Sequence, residues 1–422
     1  MIKGEKIRFD IHNILFAIYK LNKTLNNSSI KKIINKNKKV DISFINNVTL
    51  NSMRLHIHVL KIIKIYIKKK LRDQEKILLI SAITQIVYLE FKEYAVINCS
   101  VEIAKKLKIY HGLINASLKK ISKDKLILQR IKIDFDDLPK WFVSKTNSLT
   151  RIQKDSFINN FIQEPSLHIV FKGSNELENF EEKLIRTTEI SGFIPYKKNI
   201  NEIKSFLKGN WWVQDFSSFY PLYNLEIKDK KKLFLDACAA PGGKSFQLLS
   251  KNIKLELNDK NKSRINIIKS NFKRLNFQTK IFNDDFVNFK ENKKYDCIII
   301  DSPCSAVGTI RKNPEIFFKS KGPDFKNLNT LQEKMLHKAS RLLNKNGLII
   351  YMVCSFLDCE SINQINNFIS KHEGFEIYNF TKINENEEYS KMFNQNFMLT
   401  LPSMILNHKI DGYFAAYLKK VV

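Results

Sequence analysis

The sequence predicts an α/β domain built on a mostly parallel, Rossmann-like sheet over residues 231–422. An all-α domain over 1–135 and a small α+β connecting unit over 141–230 precede it. Three observations predict this arrangement. Apolar residues recur at helix spacing through a first stretch that is almost free of Gly and Pro until Pro139. From Lys231 onward, short apolar runs alternate with helical patterns, as in a parallel sheet covered on both faces. A glycine-rich turn follows the first of those runs, where the chain must pass from strand to helix.

A chain of 422 residues is too long for one ordinary core. Its 44% hydrophobic and 11% aromatic content excludes wholesale disorder. No run reaches the ~18 uninterrupted apolar residues of a membrane span. The opening Met1-Ile2-Lys3-Gly4-Glu5-Lys6 leads into charged sequence unlike a secretory signal, so a cytoplasmic location without membrane contact is expected. The six cysteines form no CxxC pair, which argues against a zinc site, and no metal is expected. The net charge of +29 suits a polyanionic partner, most simply nucleic acid. Lys far outnumbers Arg, however, and Arg is the preferred phosphate and base reader, so charge alone does not carry that reading.

In chain order, Ile7, Ile11, Ile14, Leu15, Ile18 and Leu21 trace the first helix. Further helical patterns run from Arg54 to Leu71, Ile77 to Phe91, Val101 to Leu107 and Leu113 to Ile121. The pattern breaks at Asp134 to Lys140. In the connecting unit, Leu167 to Phe171 reads as strand, Leu177 to Ile185 as helix, and Trp211 to Val213 as strand whose Trp pair is for packing. The α/β part opens with the strand Leu233 to Leu235 and a helix through Leu249. A strand at Leu255 to Leu257, a helix over about 262–275, and a strand at Thr279 to Phe282 follow. Cys297 to Ile300 and Leu348 to Val353 are the next strands. The tail segments Phe375 to Tyr378, Met398 to Leu401 and Tyr413 to Leu418 include an antiparallel edge strand.

The turn reads Asp236-Ala237-Cys238-Ala239-Ala240-Pro241-Gly242-Gly243-Lys244. Its glycines let the backbone approach a ligand, and the helix behind offers free N–H groups. Asp259 ends the second strand, 17 residues beyond Gly242, where an acid accepts hydrogen bonds from ribose hydroxyls. Asp285 ends the third strand and is placed to orient an adenine or amino acid moiety. These acids suit S-adenosyl-L-methionine, which carries a ribose and a positive charge but no phosphate. A P-loop would need Gly where this chain has Cys238, and no GxGxxG is present for a dinucleotide.

Two more strand ends carry thiols, in Asp301-Ser302-Pro303-Cys304 and in Val353-Cys354-Ser355. Carbon 5 of a pyrimidine is too weak a nucleophile to attack a methyl sulfonium unaided. A thiolate adding to carbon 6 makes carbon 5 reactive, which is covalent catalysis. An acid near ring N3 stabilises the adduct, and Asp301 is placed for it; a base must then remove the carbon 5 proton. A free thiol of pKa about 8.5 is only a few per cent ionised at pH 7, so a positive field from Lys244, Arg311 or the cofactor's own sulfonium would help. The residue pattern alone leaves open which cysteine attacks. Cys238, Cys297 and Cys359 read as packing.

These residues resemble the bacterial ribosomal RNA cytosine-5 methyltransferases of the RsmB (Sun, Fmu) type. The turn from Cys238 to Lys244 is similar to that family's cofactor loop, and Asp259, Asp285 and Asp301 fall on its cofactor-site acids. Asp301 to Cys304 followed by Gly308-Thr309-Ile310-Arg311-Lys312-Asn313-Pro314 resembles its fourth motif, and Asp411-Gly412-Tyr413-Phe414 its closing strand. The resemblance implies a class I methyltransferase fold, Cys354 as nucleophile, and Cys304 as the residue that assists release. The first helical domain, with Gly112-Leu113-Ile114-Asn115-Ala116 in its last helix, resembles the NusB-type RNA-binding domain. That fusion implies 16S ribosomal RNA, free or in early assembly, as partner rather than transfer RNA. The chain departs from the family after Cys354, where Asp358-Cys359-Glu360-Ser361 replaces the usual Pro-Glu-Glu-Asn, and at Asn283-Asp284-Asp285, where Gly-Asp is common. A transfer RNA cytosine-5 methyltransferase and a non-catalytic RNA-binding ribosome assembly factor are the alternatives.

Overall fold

A computed structural model describes residues 3–290, 293–379, 387–394, 396–405 and 407–422. The chain forms two compact units: Met1–Asn147 with Ile310–Pro323, and Ser148–Thr309 with Asp324–Val422.

The first unit is helical. Ile7, Ile11, Ile14, Leu15 and Ile18 line the buried stripe of the helix Lys3–Leu21, as their spacing requires. They share one core with residues of the helices Lys39–Arg54, Asp73–Ile83, Glu93–Lys106 and His111–Lys123, and with Phe318 of the later segment. The helix expected over Arg54 to Leu71 is shorter, spanning His56–Tyr66, because Leu55 (φ −93°, ψ 2°) separates it from Lys39–Arg54. The pattern from Ile77 to Phe91 is an α-helix to Ile83 that relaxes into a π-helical turn over Thr84–Tyr88.

The second unit begins with a small antiparallel sheet of β1 (Leu167–Phe171), β2 (Ile185–Thr188), β3 (Ser191–Ile194) and β4 (Trp211–Val213), in the order β2-β3-β1-β4. The helix expected from Leu177 to Ile185 stops early, covering Ser174–Glu178, and Ile185 starts a strand paired with Phe193. Leu177, Phe180 and Leu184 still pack into one apolar cluster, so helix-like spacing here serves a core reached through a turn. Trp211 and Trp212 are both buried and act in packing.

The large sheet comprises β5 (Leu233–Asp236), β6 (Lys254–Asn258), β7 (Ile281–Phe282), β8 (Tyr295–Asp301), β9 (Leu343–Val353), β10 (Phe375–Tyr378), β11 (Phe393–Asn394) and β12 (Phe397–Thr400). The hairpin strands β13 (Ser403–Ile405) and β14 (His408–Ile410) pair only with each other, and β15 (Tyr413–Lys420) returns to the large sheet. Strands β7, β6, β5, β8 and β9 are parallel, and β15 pairs antiparallel with β9. Strand β15 is interior, covered by β12 over its first half and β10 over its second, and β10 (Phe375–Tyr378) is the antiparallel edge strand expected among the tail segments. The apolar runs face both ways. Ile299, Ile350 and Met352 enter one core, and Ile298, Ile300, Tyr351 and Val353 the other. Strand order reverses between β5 and β8, which opens a crevice at their carboxyl ends.

Candidate active site

A cavity of about 840 Å3 lies at those carboxyl ends, within the ordinary size of small-molecule sites. Its wall brings together Cys238, Ala240, Asp259, Asp285, Asp301, Cys304 and Cys354, residues that the sequence scatters over more than a hundred positions. Ala239, Pro241, Gly242, Gly243 and Lys244 lie outside that wall and shape the turn behind it. Gly242 has φ +114°, and a Cβ there would meet the Phe246 ring at 2.3 Å, so the bend tolerates only glycine. The helix Gly243–Ser250 starts directly after it.

Each acid is fixed by a different set of donors. The Asp259 carboxylate accepts from the Ala240 N–H at 3.1 Å and the Asn261 N–H at 2.8 Å, tying the end of β6 to the turn. Asp285 caps the short helix Phe286–Asn288 and pairs with Lys260 at 3.4 Å. Asp301 accepts from Lys244 Nζ at 2.7 Å and from the Tyr413 hydroxyl at 3.0 Å. Lys244 therefore spends its charge on Asp301 rather than on a thiol, and Arg311 belongs to the first unit. The donor set fits S-adenosylmethionine: a turn open to close approach, and carboxylates at Asp259, Asp284 and Asp285 for hydroxyls and a cationic ligand.

The sequence reading passed over two acids. Asp236, at the end of β5, is 1% exposed and accepts from Ser245 Oγ at 2.7 Å. Burial pushes its carboxyl up to about 6 despite that bond and the Lys244 charge. Glu360 is wholly buried beside the two thiol loops. An acid in a buried run beside Ser and Cys gives no signal by spacing, because its role depends on a loop 55 residues earlier in the chain.

Cys304 Sγ and Cys354 Sγ stand 3.3 Å apart. Cys354 directly follows β9, whose Met352 lies opposite Asp301 of β8, and Cys304 follows that aspartate in the adjacent loop. Gly308 N donates to the Cys354 carbonyl at 3.0 Å and Gly412 N to the Gly308 carbonyl at 2.9 Å, so three loops are laced together. A hydrogen bond to Cys354, burial, and the negative charges of Cys354 and Glu360 hold the Cys304 thiol well above its ordinary value. Burial, followed by neighbouring carboxylates, pushes Cys238 up as well, and Cys297 is buried in the core. Among the described residues no cluster of His, Cys, Asp and Glu could hold a metal ion, and no helix is long and apolar enough to cross a membrane.

Residues 222–419 match the family model described as 16S rRNA methyltransferase RsmB/F, and residues 7–123 match the NusB family. Ribosomal RNA small subunit methyltransferase B of Shewanella oneidensis is 34% identical over 179 residues, which are 41% of this chain and 42% of that protein. The probable ribosomal RNA small subunit methyltransferase B of Coxiella burnetii is 26% identical over 378 residues, covering 83% of this chain and 87% of that one. The crystal structure of NSun6 from Pyrococcus horikoshii with SFG shares the fold, with a TM-score of 0.56 at 17% identity over 67% of this chain and 98% of that chain. The chain thus carries an RsmB/F methyltransferase domain, whose cofactor is S-adenosylmethionine, with a NusB-family domain ahead of it.

Proposed function

We propose that this chain methylates carbon 5 of a cytosine in 16S ribosomal RNA through a covalent bond between Cys354 and carbon 6. The observation that carries the reading is the 3.3 Å contact of the Cys304 and Cys354 sulfurs on the cofactor cavity wall, beside Asp301. The NusB-family domain, the net charge of +29 and the named activity of the relatives support ribosomal RNA as substrate.

In this reading the Cys304 thiol, held well above its ordinary value by the Cys354 contact, burial and the charge of Glu360, keeps its proton during attack. The Cys354 sulfur adds to carbon 6, and the ring electron pair moves to carbon 5. Bound S-adenosylmethionine supplies the electrophilic methyl group. Asp301, held by Lys244 and Tyr413, meets the ring at N3 and stabilises the adduct. Once Cys354 is bonded to carbon 6 it is no longer an anion, so the hydrogen bond and charge that held the Cys304 proton both vanish. Cys304 can then release that proton to solvent and accept the one on carbon 5. The C5–H electron pair restores the C5–C6 double bond, and Cys354 leaves as a thiolate.

Loss of each cysteine separates the roles. Cys354→Ala is expected to abolish methyl transfer and any covalent link to RNA. Cys304→Ala is expected to attack and methylate but release slowly, leaving an adduct that survives denaturing electrophoresis when cofactor is present. An adduct in Cys354→Ala with none in Cys304→Ala would swap the roles. No adduct in either, alongside residual activity, would end the covalent reading. Bisulfite sequencing of 16S ribosomal RNA from cells with and without the chain tests the substrate: a cytosine protected only when it is present supports the proposal, and none refutes it.

A further inference from the structure

We propose that Glu360 is a positioning residue that clamps the Cys304 loop onto the strand carrying Cys354 and so holds the two sulfurs in register for release. The inference rests on the cysteine reading above and deepens it. Burying a carboxylate completely is costly unless strong donors surround it, and Glu360 is 0% exposed. Its Oε1 accepts from the Ser305 N–H at 2.7 Å, and its Oε2 from the Ser305 hydroxyl at 2.5 Å. Gln332 Nε2 reaches the same carboxylate at 3.4 Å and the Pro303 carbonyl at 3.0 Å. Both chain neighbours of Cys304 are therefore held, one by Glu360 itself and the other through Gln332.

The opposite end of the clamp is anchored to β9. The Tyr351 hydroxyl donates to the Glu360 carbonyl at 2.8 Å, and the Glu360 N–H closes a turn onto Leu357 at 2.9 Å. Ser305 Oγ also lies 3.4 Å from Ser355 Oγ, the residue after Cys354. A carboxylate gripping one residue by both N–H and O–H fixes orientation as well as distance, and such charge-assisted bonds are about twice as strong as neutral ones. Glu360 touches neither thiol through a hydrogen bond, so it acts through Ser305. Its negative charge adds to the causes that keep Cys304 protonated.

The test compares single-turnover and steady-state methylation of 16S ribosomal RNA by the full chain, with adduct measured on denaturing gels. Glu360→Gln keeps the shape but cannot accept from both Ser305 donors. Release is expected to slow by about ten- to a hundred-fold, the equivalent of one charged hydrogen bond, while the first turnover falls by less than about threefold. Adduct is therefore expected to accumulate, and the pH limb governing release to move to lower pH. Ser305→Ala, which removes one donor and no charge, is expected to shift the same partition less and leave the limb in place. Cys304→Ala is the control. If it accumulates adduct and Glu360→Gln does not, the clamp proposal fails alone; if neither does, the cysteine reading fails first. Single-turnover and steady-state rates falling in equal proportion, or loss of the fold in both variants, would assign Glu360 to stability and overturn the proposal.

Discussion

Asp236→Asn offers a quantitative check on the buried end of β5. An ordinary aspartate ionises near 3.8, whereas burial lifts this one to about 6. Between those values the folded chain retains a proton that the unfolded chain has released, so stability falls as pH rises through the window. Two pH units correspond to about 3 kcal/mol. The asparagine variant is neutral throughout and its oxygen can still accept from Ser245, so it should lack this slope. Its stability relative to the native chain is thus expected to rise by about 2.4 kcal/mol between pH 4 and pH 7. Of the three tryptophans, Trp141 lies in the first unit and the buried Trp211 and Trp212 in the second. In a Trp141→Phe background, urea titrations followed by fluorescence therefore report the unit that contains Asp236. Parallel pH curves for the two proteins, differing by a constant, would refute the reasoning and mean that Asp236 is ionised in the fold at pH 4.

Two other substitutions test the cofactor cavity and the laced loops. Asp259→Ala removes the acceptor for the Ala240 and Asn261 amides together with the oxygens proposed to bind ribose, and is expected to weaken S-adenosylmethionine binding by about 2 kcal/mol in calorimetry. Unchanged affinity with the fold intact would make Asp259 a strand cap alone. Gly308→Ala places a Cβ 1.8 Å from the Gly412 carbonyl oxygen, a backbone atom with no room to yield. It is expected to cost about 1–3 kcal/mol in urea titration and to depress methylation further than that loss explains, whereas native-like values of both would show that the Gly308–Gly412 contact is dispensable.

Much of this arrangement was legible because periodicity and turn chemistry report local structure directly. The stripe from Ile7 to Ile18 and the runs ending at Asp236, Asp301 and Val353 have one stable reading each, a helix face or a strand buried on both sides. What escaped depends on distant partners. Phe317 and Phe318 lie in a helix of only four residues, too short for any period, yet Phe318 enters the core of the first unit. Leu177, Phe180 and Leu184 repeat like a helix but pack through a turn, because the Thr-rich stretch after them pairs as a strand. Lys244 stood as a possible field for a thiolate, and only the fold places it against Asp301.

The division of labour between two chemically identical thiols illustrates the same limit and how three dimensions relieve it. Both follow strand ends and both reach the cavity, so sequence context leaves their order open. Glu360 is bonded to Ser305, the residue after Cys304, and adds negative charge beside the Cys304 thiol. A thiol that keeps its proton fits the proposed release role of Cys304. Retention of that proton also ties attack to release, because the bond that consumes the Cys354 anion removes the main reason for Cys304 to hold its proton. A substitution that discharges Glu360 is therefore expected to disturb the exit from the adduct more than its formation.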